Sequence, residues 1–483
     1  MTNNRLFNHC LICAFILVTG FGLALVIPWF ARFESLASED FVKNQVNLPS
    51  AERYYVAKSG DGTTGLEWTK AFTDVQNALG VAKSSDEIWV ATGVYTPGAN
   101  QTDSFNLVPG IGIYGGFDGT ETSRSQQDWV ANPTILSGDI EGDDINTDGV
   151  VKSTSDIVGN NNRHVVFADG TTGTPILSNT VIDGFTITAG NASDGSDPVY
   201  DIRGGGFFCD GSYNNNECSP SLKNIKFAGN FATHFGGALY NYGYDKGTSA
   251  PILTNVIFTG NYAADKGGAM YNEGGAGKSS PTLTNVSFAG NSAQYKGGAM
   301  YNNGRGGASN PTLTNVTFSG NSAALGGAIY NDGYLGVNAP QIHNSILWNN
   351  MDNSGTGTIS TTVFNYTASV TITHSLVQGA MPGGSWIGGS YINGGGNLDE
   401  SPLFVLDVNP SDAPTTTGNL RLQTGSPAVD TGDNQLFIGI PRDLDGNPRI
   451  VDGDLDGTLT IDMGAYEFQI NYPHDIFVPL IFQ

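Results

Sequence analysis

The middle of the chain repeats itself about every 30 residues, and this period restricts the possible folds more than any other feature. The clearest copies start at Pro220, Pro251, Pro281 and Pro311, and a weaker copy starts at Pro340. The starts are separated by 31, 30, 30 and 29 residues. Each of the first four copies contains an F-x-x-N group followed by a glycine pair. Such a period is typical of elongated proteins in which every unit forms one layer of a stack.

Within a unit, apolar and polar residues alternate with the two-residue period of a β-strand. Val286 and Phe288 alternate with Asn285 and Ser287. Leu283 has the opposite parity, so the sequence predicts a bend near Asn285. No part of the unit has an apolar stripe with the period of a helix, which excludes helical solenoids. The pattern therefore predicts an all-β solenoid of parallel strands, in which coils lie about 4.8 Å apart and equivalent residues stack.

Stacked copies turn each recurring residue into a ladder along the solenoid. We expect a Phe ladder and a Leu/Met/Ile ladder to fill the interior, and an Asn ladder to hydrogen-bond the backbone at a bend. The members are Phe227, Phe258, Phe288 and Phe318; Leu239, Met270, Met300 and Ile329; and Asn230, Asn261, Asn291, Asn321 and Asn350. This recurrence indicates a scaffold rather than a site.

Tyrosines form a further ladder with two possible roles. Tyr240, Tyr271, Tyr301 and Tyr330 each follow a residue that is expected to point inward, so we expect them to point outward. Stacked tyrosines beside asparagines are suited to binding a glycan through ring stacking and hydrogen bonds. The alternative is that the rings stack on one another and stabilise neighbouring coils.

The charge balance limits the partners. The chain of 483 residues has 45 Asp or Glu against 21 Lys or Arg, a formal net charge of −24. This charge argues against nucleic acids and anionic membranes, because their phosphates attract basic residues. A polysaccharide or a cell-envelope glycan remains as a partner, and we expect a monomer.

The N-terminus predicts export from the cytoplasm. Arg5 precedes an uncharged apolar run at 10–30, and a small-x-small cleavage motif follows at 35–37. Residues 1–37 are therefore predicted to be a cleaved signal peptide or a retained anchor, which would be the one attachment to a membrane. The mature protein is expected to be secreted or held at the cell surface.

Two cysteines flank a short polar loop in the exported part of the chain. Cys209 and Cys218 enclose the sequence DGSYNNNE. Disulfides persist outside the cytoplasm, so we expect a disulfide that closes this loop, with two free thiols as the alternative.

The repeats resemble a known family. The F-x-x-N and G-G-A-[I/L/M] groups are similar to the repeats of chlamydial polymorphic outer membrane proteins, which belong to the pectin-lyase-like superfamily of right-handed parallel β-helices. Gly65–Leu79 and Ile111–Trp129 resemble the N-terminal half of secreted bacterial β-helix proteins. Leu422–Asn434 and Asp443–Phe468 resemble their closing module, often described as choice-of-anchor. The resemblance implies a single-stranded right-handed parallel β-helix.

The motifs and this resemblance together give the expected division of the chain. The predicted segments are a linker at 38–52, a β-helix at 53–396 with clear repeats at 220–350, a closing module at 397–468 and a short apolar tail at 469–483. Apolar residues at helical spacing between Phe72 and Ala82 predict an N-terminal capping helix that begins near Thr69 or Ala71. Such a helix would cover the first coil and block edge-to-edge pairing.

Enzymes of this superfamily use two kinds of catalytic set. Pectate lyases combine Ca²⁺ with an Arg or Lys base, whereas polygalacturonase-like hydrolases use clustered Asp residues. The sequence has no G-H-G group and no R-x-K pair, and its six His residues are scattered. We therefore assign no catalytic residue and expect a protein that is not an enzyme.

Two acidic loops have the spacing of calcium ligands. Oxygen side chains at alternate positions before a glycine suit a hard cation such as Ca²⁺. The residues are Asp452, Asp454 and Asp456, with Asp462 downstream, and Asp144, Asn146 and Asp148. We expect structural Ca²⁺ at these loops, and the alternative is a pair of solvated acidic turns.

These observations favour a non-catalytic β-helix used for adhesion, glycan binding or contact with the cell envelope. The alternative is a polysaccharide lyase or hydrolase of the pectin-lyase-like superfamily. An autotransporter-type passenger is less favoured, since the sequence after residue 468 lacks the long alternating segments of a membrane barrel.

Overall fold

Parallel strands stacked coil upon coil form the main body of the protein. The structure is a computed structural model that describes residues 51–470 except 147, 194, 196, 198 and 438. The predicted signal peptide or anchor, nearly all of the linker and the tail from residue 471 onward lie outside the described residues. Among the residues described, no helix has the length and apolar character needed to cross a membrane.

Sheet 1 is the longest wall of the β-helix, and its strands pair in parallel. Its described strands are Arg53–Val56, Glu87–Ala91, Gly93–Tyr95, Gly112–Phe117, Thr134–Ser137, Val181–Thr188, Ser221–Ala228, Ile252–Thr259, Thr282–Ala289, Thr312–Ser319, Gln341–His343, Ile346–Trp348, Val370–Thr373, Leu376–Val377 and Tyr391–Asn393.

Two further parallel sheets complete the coil. The strands of sheet 2 are Phe105–Asn106, Val166–Asp169, Phe207–Asp210, Leu239–Tyr242, Met270–Glu273, Met300–Asn303, Ile329–Asp332 and Val363–Tyr366. Those of sheet 3 are Asn191–Ala192, Phe231–Ala232, Tyr262–Ala263 and Ser292–Ala293. A short parallel pair, Glu217–Cys218 with Thr248–Ser249, lies in the turn after sheet 2. The chain is therefore a parallel β-helix, as the repeat predicts.

The interior consists of the expected ladders. The rings of Phe227, Phe258, Phe288 and Phe318 are fully buried, and consecutive ring centroids are 4.8, 4.7 and 4.6 Å apart. On the opposite wall, Leu239, Met270, Met300 and Ile329 pair in register and are also buried. Equivalent residues thus stack directly, which gives each coil the same packing as its neighbours.

Asparagines bend and fasten the coils. Asn285 has a φ of 54°, and the equivalent residue of each neighbouring coil has a similar positive value. A left-handed residue in mid-strand reverses the parity of the side chains, which explains the pattern around Leu283. The second Asn ladder, which includes Asn291, is fully buried, and each side-chain amide bonds the next.

The N-terminal helix covers the first coils but begins later than predicted. It spans Val75–Val81, after a 3₁₀ turn at Trp68–Lys70. Asp74 caps it by accepting a hydrogen bond from the Gln76 N–H at 2.5 Å. The prediction of a start near Thr69 or Ala71 is therefore wrong by several residues, because the cap at Asp74 determines where helical hydrogen bonding begins.

The remaining helices are short. An α-helical turn spans Ile359–Thr362, before the last strand of sheet 2. The other 3₁₀ turns within the described residues are Arg124–Gln126, Thr154–Asp156, Pro382–Gly384, Pro410–Asp412 and Asn434–Leu436.

The C-terminal segment packs along the outer face of sheet 1. It contains two antiparallel pairs, Phe404–Leu406 with Asn419–Leu422 and Ile450–Val451 with Thr460–Ile461. The bend asparagines hold it: Asn285 Nδ2 donates to the Arg442 carbonyl at 2.7 Å, and Asn315 Nδ2 donates to the Asp462 carbonyl at 3.3 Å. This segment therefore covers part of the outer face of sheet 1.

Candidate functional site

The predicted tyrosine ladder exists but is not a surface. Tyr240, Tyr271, Tyr301 and Tyr330 pair in register on sheet 2 and point away from the interior ladders. Consecutive ring centroids are 5.5, 4.8 and 5.1 Å apart. None of the four residues is more than 3% exposed.

Side chains from the turn before sheet 2 cover these rings. Arg203 donates to the Tyr240 hydroxyl at 2.9 Å, and Lys296 Nζ donates to the Tyr330 hydroxyl at 3.1 Å. The Phe235 ring stacks on another ring of the ladder, with centroids 4.6 Å apart. A sugar ring therefore has no access to this ladder, and the prediction of a glycan-binding surface at these four tyrosines is wrong. The rings stack on one another, as the alternative expected.

Exposed tyrosines lie one turn further along the chain. Tyr244 and Tyr334 follow ladder tyrosines by four residues and are 39% and 42% exposed. They belong to the turn that follows each strand of sheet 2. The last residues of four successive strands, just before this turn, are Tyr242, Glu273, Asn303 and Asp332. The sequence signal was available, because Y-N-x-G-Y occurs twice, but the recurrence of the buried tyrosines concealed it.

These two tyrosines border a groove with a volume of about 440 Å³. The described residues that line it are Tyr244, Glu273, Gly275, Ala276, Asn303, Arg305, Gly306, Tyr334 and Leu335. Tyr244 and Tyr334 lie three coils apart, which at about 4.8 Å per coil separates their backbones by about 14 Å. The small residues Gly275 and Ala276 leave the space between them open.

Gly275 is required for the shape of the groove floor. A Cβ atom at this position would lie 2.6 Å from Glu273 Oε1 and 3.3 Å from the Tyr244 ring. Its backbone N–H donates to the same Oε1 at 2.8 Å. Any larger residue would displace the carboxylate or the ring, so the floor and one wall of the groove are fixed by this glycine.

The charged groups of the groove are held in place. Glu273 is 8% exposed and accepts a hydrogen bond from Asn303 Nδ2 at 2.7 Å. Desolvation on burial raises the pKa of Glu273 above its usual range. Arg305 lies over the Tyr334 ring, with its guanidinium carbon 5.2 Å from the centroid, and its Nε is 3.6 Å from Asp332 Oδ2. The groove thus combines aromatic walls with a polar floor.

The disulfide loop borders one end of this groove. Cys209 and Cys218 are joined by a disulfide and are fully buried. The loop between them carries Tyr213, whose N–H donates to the Tyr244 carbonyl at 2.9 Å. The Tyr213 and Tyr244 rings meet edge to face, with centroids 5.8 Å apart. The disulfide therefore restrains a neighbour of the Tyr244 wall.

The C-terminal acidic loop has a different ligand set from the predicted one. Carboxylate oxygens of Asp430, Asp452 and Asp454 lie within 4.8 Å of one another. Asp456 instead accepts from the Thr458 N–H, at 2.7 Å. Because Asp430 lies in a different part of the closing segment, the spacing of the loop residues gave no sign of it.

Asp462 is not a ligand in this arrangement. Its buried carboxylate accepts hydrogen bonds from the backbone N–H groups of Asp430 and Phe468, at 2.7 and 2.6 Å. Desolvation on burial raises its pKa to about 7. Asp462 therefore supports the segment that carries Asp430.

The C-terminal group fits a divalent cation. Asp430 Oδ1 and Asp452 Oδ1 are buried and have no hydrogen-bond partner. Desolvation, followed by the charge of Asp454, raises the pKa of Asp430. A cation would supply the missing partner for both oxygens and would neutralise the mutual repulsion. Calcium at this position stays a prediction.

The N-terminal acidic loop also regroups. Carboxylate oxygens of Asp139, Asp143 and Asp144 lie within 4.8 Å of one another, and the predicted Asp148 is not in this group. Asn146 Oδ1 accepts from a backbone N–H at 2.9 Å, and Asp148 pairs with a lysine at 3.3 Å. Burial raises the pKa of Asp144 to about 6. Two N–H groups already donate hydrogen bonds to the Asp144 carboxylate. A cation would therefore stabilise the N-terminal group less than the C-terminal group.

Comparison with known proteins identifies the repeat. Residues 315–332 match the Chlamydia polymorphic membrane protein (Chlamydia_PMP) repeat. No curated protein matches the chain. Among solved structures, pectate lyase Pel9A is 12% identical with a TM-score of 0.37, and the match covers 87% of this chain and 97% of that one. A rhamnogalacturonan lyase is 10% identical with a TM-score of 0.36, over 77% of this chain and 97% of that one.

The class of protein follows from the described strands and the repeat. The chain is a parallel β-helix that carries a repeat of the polymorphic membrane protein kind over residues 315–332. The match to a membrane-protein repeat agrees with the predicted position of the protein outside the cytoplasm. Because the sequence identity to the two lyases is only 12% and 10%, the likeness to them says nothing about the activity of this chain. The resemblance of the C-terminal segment to a choice-of-anchor module stays a prediction.

Proposed function

We propose that this protein is a non-catalytic surface β-helix that binds a polysaccharide or cell-envelope glycan in the groove between Tyr244 and Tyr334. The observation that carries the proposal is the pair of exposed aromatic walls on either side of a polar floor. Sugar rings present apolar faces and polar edges, and such a groove offers a partner to each.

The scaffold beneath the groove favours binding without rearrangement. The floor residues continue the strands of sheet 2, and the stacked tyrosine and asparagine ladders lie next to them in the same strands. A site built on packed strands loses little conformational entropy when a ligand binds. The groove runs along the axis of the β-helix, so it suits a chain of sugar units better than a single sugar.

Binding without hydrolysis agrees with the composition of the groove. Glycoside hydrolysis by the usual mechanism requires two carboxyl groups on either side of the scissile bond. Among the described residues that line the groove, Glu273 is the one carboxylate. The polysaccharide lyase or hydrolase alternative predicts new reducing ends or unsaturated products, and we expect neither after prolonged incubation with a glycan panel.

The test removes the aromatic walls one at a time. Polysaccharides immobilised on an array are probed with the wild type, Tyr244→Ala, Tyr334→Ala and the double variant. We expect Tyr244→Ala to lose about tenfold in affinity, or about 1.4 kcal/mol, because it loses a stacking surface. Tyr334→Ala should lose less, because the Arg305 guanidinium already lies over the Tyr334 ring. Tyr295→Ala is the matched control, since Tyr295 is 51% exposed and outside the groove. Unchanged binding by the double variant would refute the proposal.

A further inference from the structure

The floor of the groove holds a carboxylate, that of Glu273, whose charge affects which sugars can bind. Resting on the proposed function, we infer that the groove selects neutral glycans and rejects glycans that carry carboxylates, such as polyuronates. This selectivity depends on the charge and hydrogen-bonding capacity of Glu273, Asn303, Arg305 and Asp332, together with the overall charge of the chain.

Glu273 presents hydrogen-bond acceptors to the ligand. A carboxylate accepts hydrogen bonds and donates none. Glu273 already has donors in Gly275, Asn303 and Tyr271, so a remaining lone pair that faces the groove requires a donor from the ligand. The hydroxyl groups of a neutral sugar are such donors, whereas the carboxylate of a uronic acid offers acceptors and a negative charge. Because Glu273 is 8% exposed and held by Gly275 and Asn303, it is fixed in the floor and has no room to withdraw.

Arg305 does not offset this rejection. Its Nε lies 3.6 Å from Asp332 Oδ2, and Asp332 is 4% exposed. A hydrogen bond from the Tyr301 hydroxyl at 2.9 Å fixes the Asp332 carboxylate. The guanidinium is further held over the Tyr334 ring. The terminal nitrogens of Arg305 remain accessible, since 54% of its side chain is exposed, but Asp332 already counters the charge that a uronate would pair with.

The overall charge of the chain also acts against polyanions. In the turns beside the groove, Asp245 and Lys246 are adjacent and offset one another, whereas the exposed Lys278 adds one positive charge. The whole chain carries a formal net charge of −24, which repels polyanions at a distance. Short-range and long-range electrostatics thus act in the same direction.

The test compares hexasaccharides of opposite character by isothermal titration calorimetry on the full exported chain. The probes are cellohexaose and mannohexaose, which are neutral, and hexagalacturonate. We expect at least one neutral probe to bind about tenfold or more tightly than hexagalacturonate, since a like-charge contact costs at least 1.4 kcal/mol. Raising the salt concentration should strengthen hexagalacturonate binding, because salt screens repulsion.

Glu273→Gln separates the groove carboxylate from the overall charge. Glutamine keeps the shape and an acceptor oxygen, so we expect the preference for the neutral probe to fall by about threefold or more, with an unchanged melting temperature. Asp245→Asn removes the same charge from the neighbouring turn and should leave the preference within about twofold of the wild type. If Glu273→Gln fails to fold, the salt dependence of the wild type still decides the sign of the interaction.

The outcomes distinguish the inference from the function on which it rests. Equal or tighter binding of hexagalacturonate would overturn the inference, and if Tyr244→Ala and Tyr334→Ala then lose that binding, the proposed function stands. An unchanged preference in Glu273→Gln would also overturn it. Absence of binding to all three probes would contradict both the inference and the proposed function.

Discussion

Replacing Asn291 with alanine tests the mechanism that fastens the coils together. The Asn291 side chain makes four hydrogen bonds. Its Nδ2 donates to Asn321 Oδ1 at 3.0 Å and to the Phe258 carbonyl at 2.9 Å. Its Oδ1 accepts from the backbone N–H and from Nδ2 of Asn261, at 3.2 and 2.9 Å. Because Asn291 is fully buried, water cannot replace these partners.

The expected loss of stability follows from these four bonds. A buried hydrogen bond contributes about 1 kcal/mol, and each donor or acceptor left without a partner costs about 1–3 kcal/mol. The Asn291→Ala substitution should therefore lower the free energy of unfolding by roughly 4 kcal/mol. The entropy of unfolding is about 0.9 kcal/mol per kelvin for the roughly 420 described residues, so the melting temperature should fall by about 4–5 °C.

The assay is thermal unfolding followed by far-ultraviolet circular dichroism, with urea denaturation as a second measure. Asn353→Ala is the control, because Asn353 is exposed and its side chain belongs to neither asparagine ladder. We expect the control to melt with the wild type. If Asn291→Ala also melted with the wild type, the ladder would not stabilise the coils and the account of the scaffold would be wrong.

Two further predictions concern metal and pH. Excess chelator should lower the melting temperature, because a cation bound only to the folded state stabilises it by about 2.7 kcal/mol at 100 times its Kd. Asp430→Asn should reproduce that effect, whereas Asp456→Asn should not, and an unchanged melting temperature with chelator would contradict the calcium prediction. Burial lowers the pKa of His164 to about 4. The unfolded chain, with a pKa near 6.5, therefore binds the proton first as pH falls, so His164 contributes stability above about pH 6.5 that is lost between about pH 6.5 and 4. His164→Gln should remove that part of the loss, about 3 kcal/mol, in urea denaturation across this range, and equal pH dependence in both proteins would refute it.

The repeat was sufficient to predict the interior of the fold. Phe288 and Met300 occupy the expected inner walls, since stacking in register follows directly from a constant period. Asn285 bends the strand where the change of parity predicts a bend. These features are periodic and local, and alternation along the chain therefore reveals them.

The candidate sites depended on contacts that the period does not contain. Tyr271 points outward as predicted, but Phe235, from the turn of another coil, covers its ring. Asp430 approaches Asp452 only because the closing segment folds back on itself against sheet 1. The groove exists because Gly275 and Ala276 interrupt a row of larger side chains, and a single repeat shows nothing of that interruption.

The most direct test of the central claim is a crystal structure of the protein soaked with a neutral hexasaccharide that it binds. The account predicts sugar rings parallel to the Tyr244 or Tyr334 ring and a sugar hydroxyl donating to the Glu273 carboxylate. A sugar bound at another wall of the β-helix, with this groove empty, would contradict it.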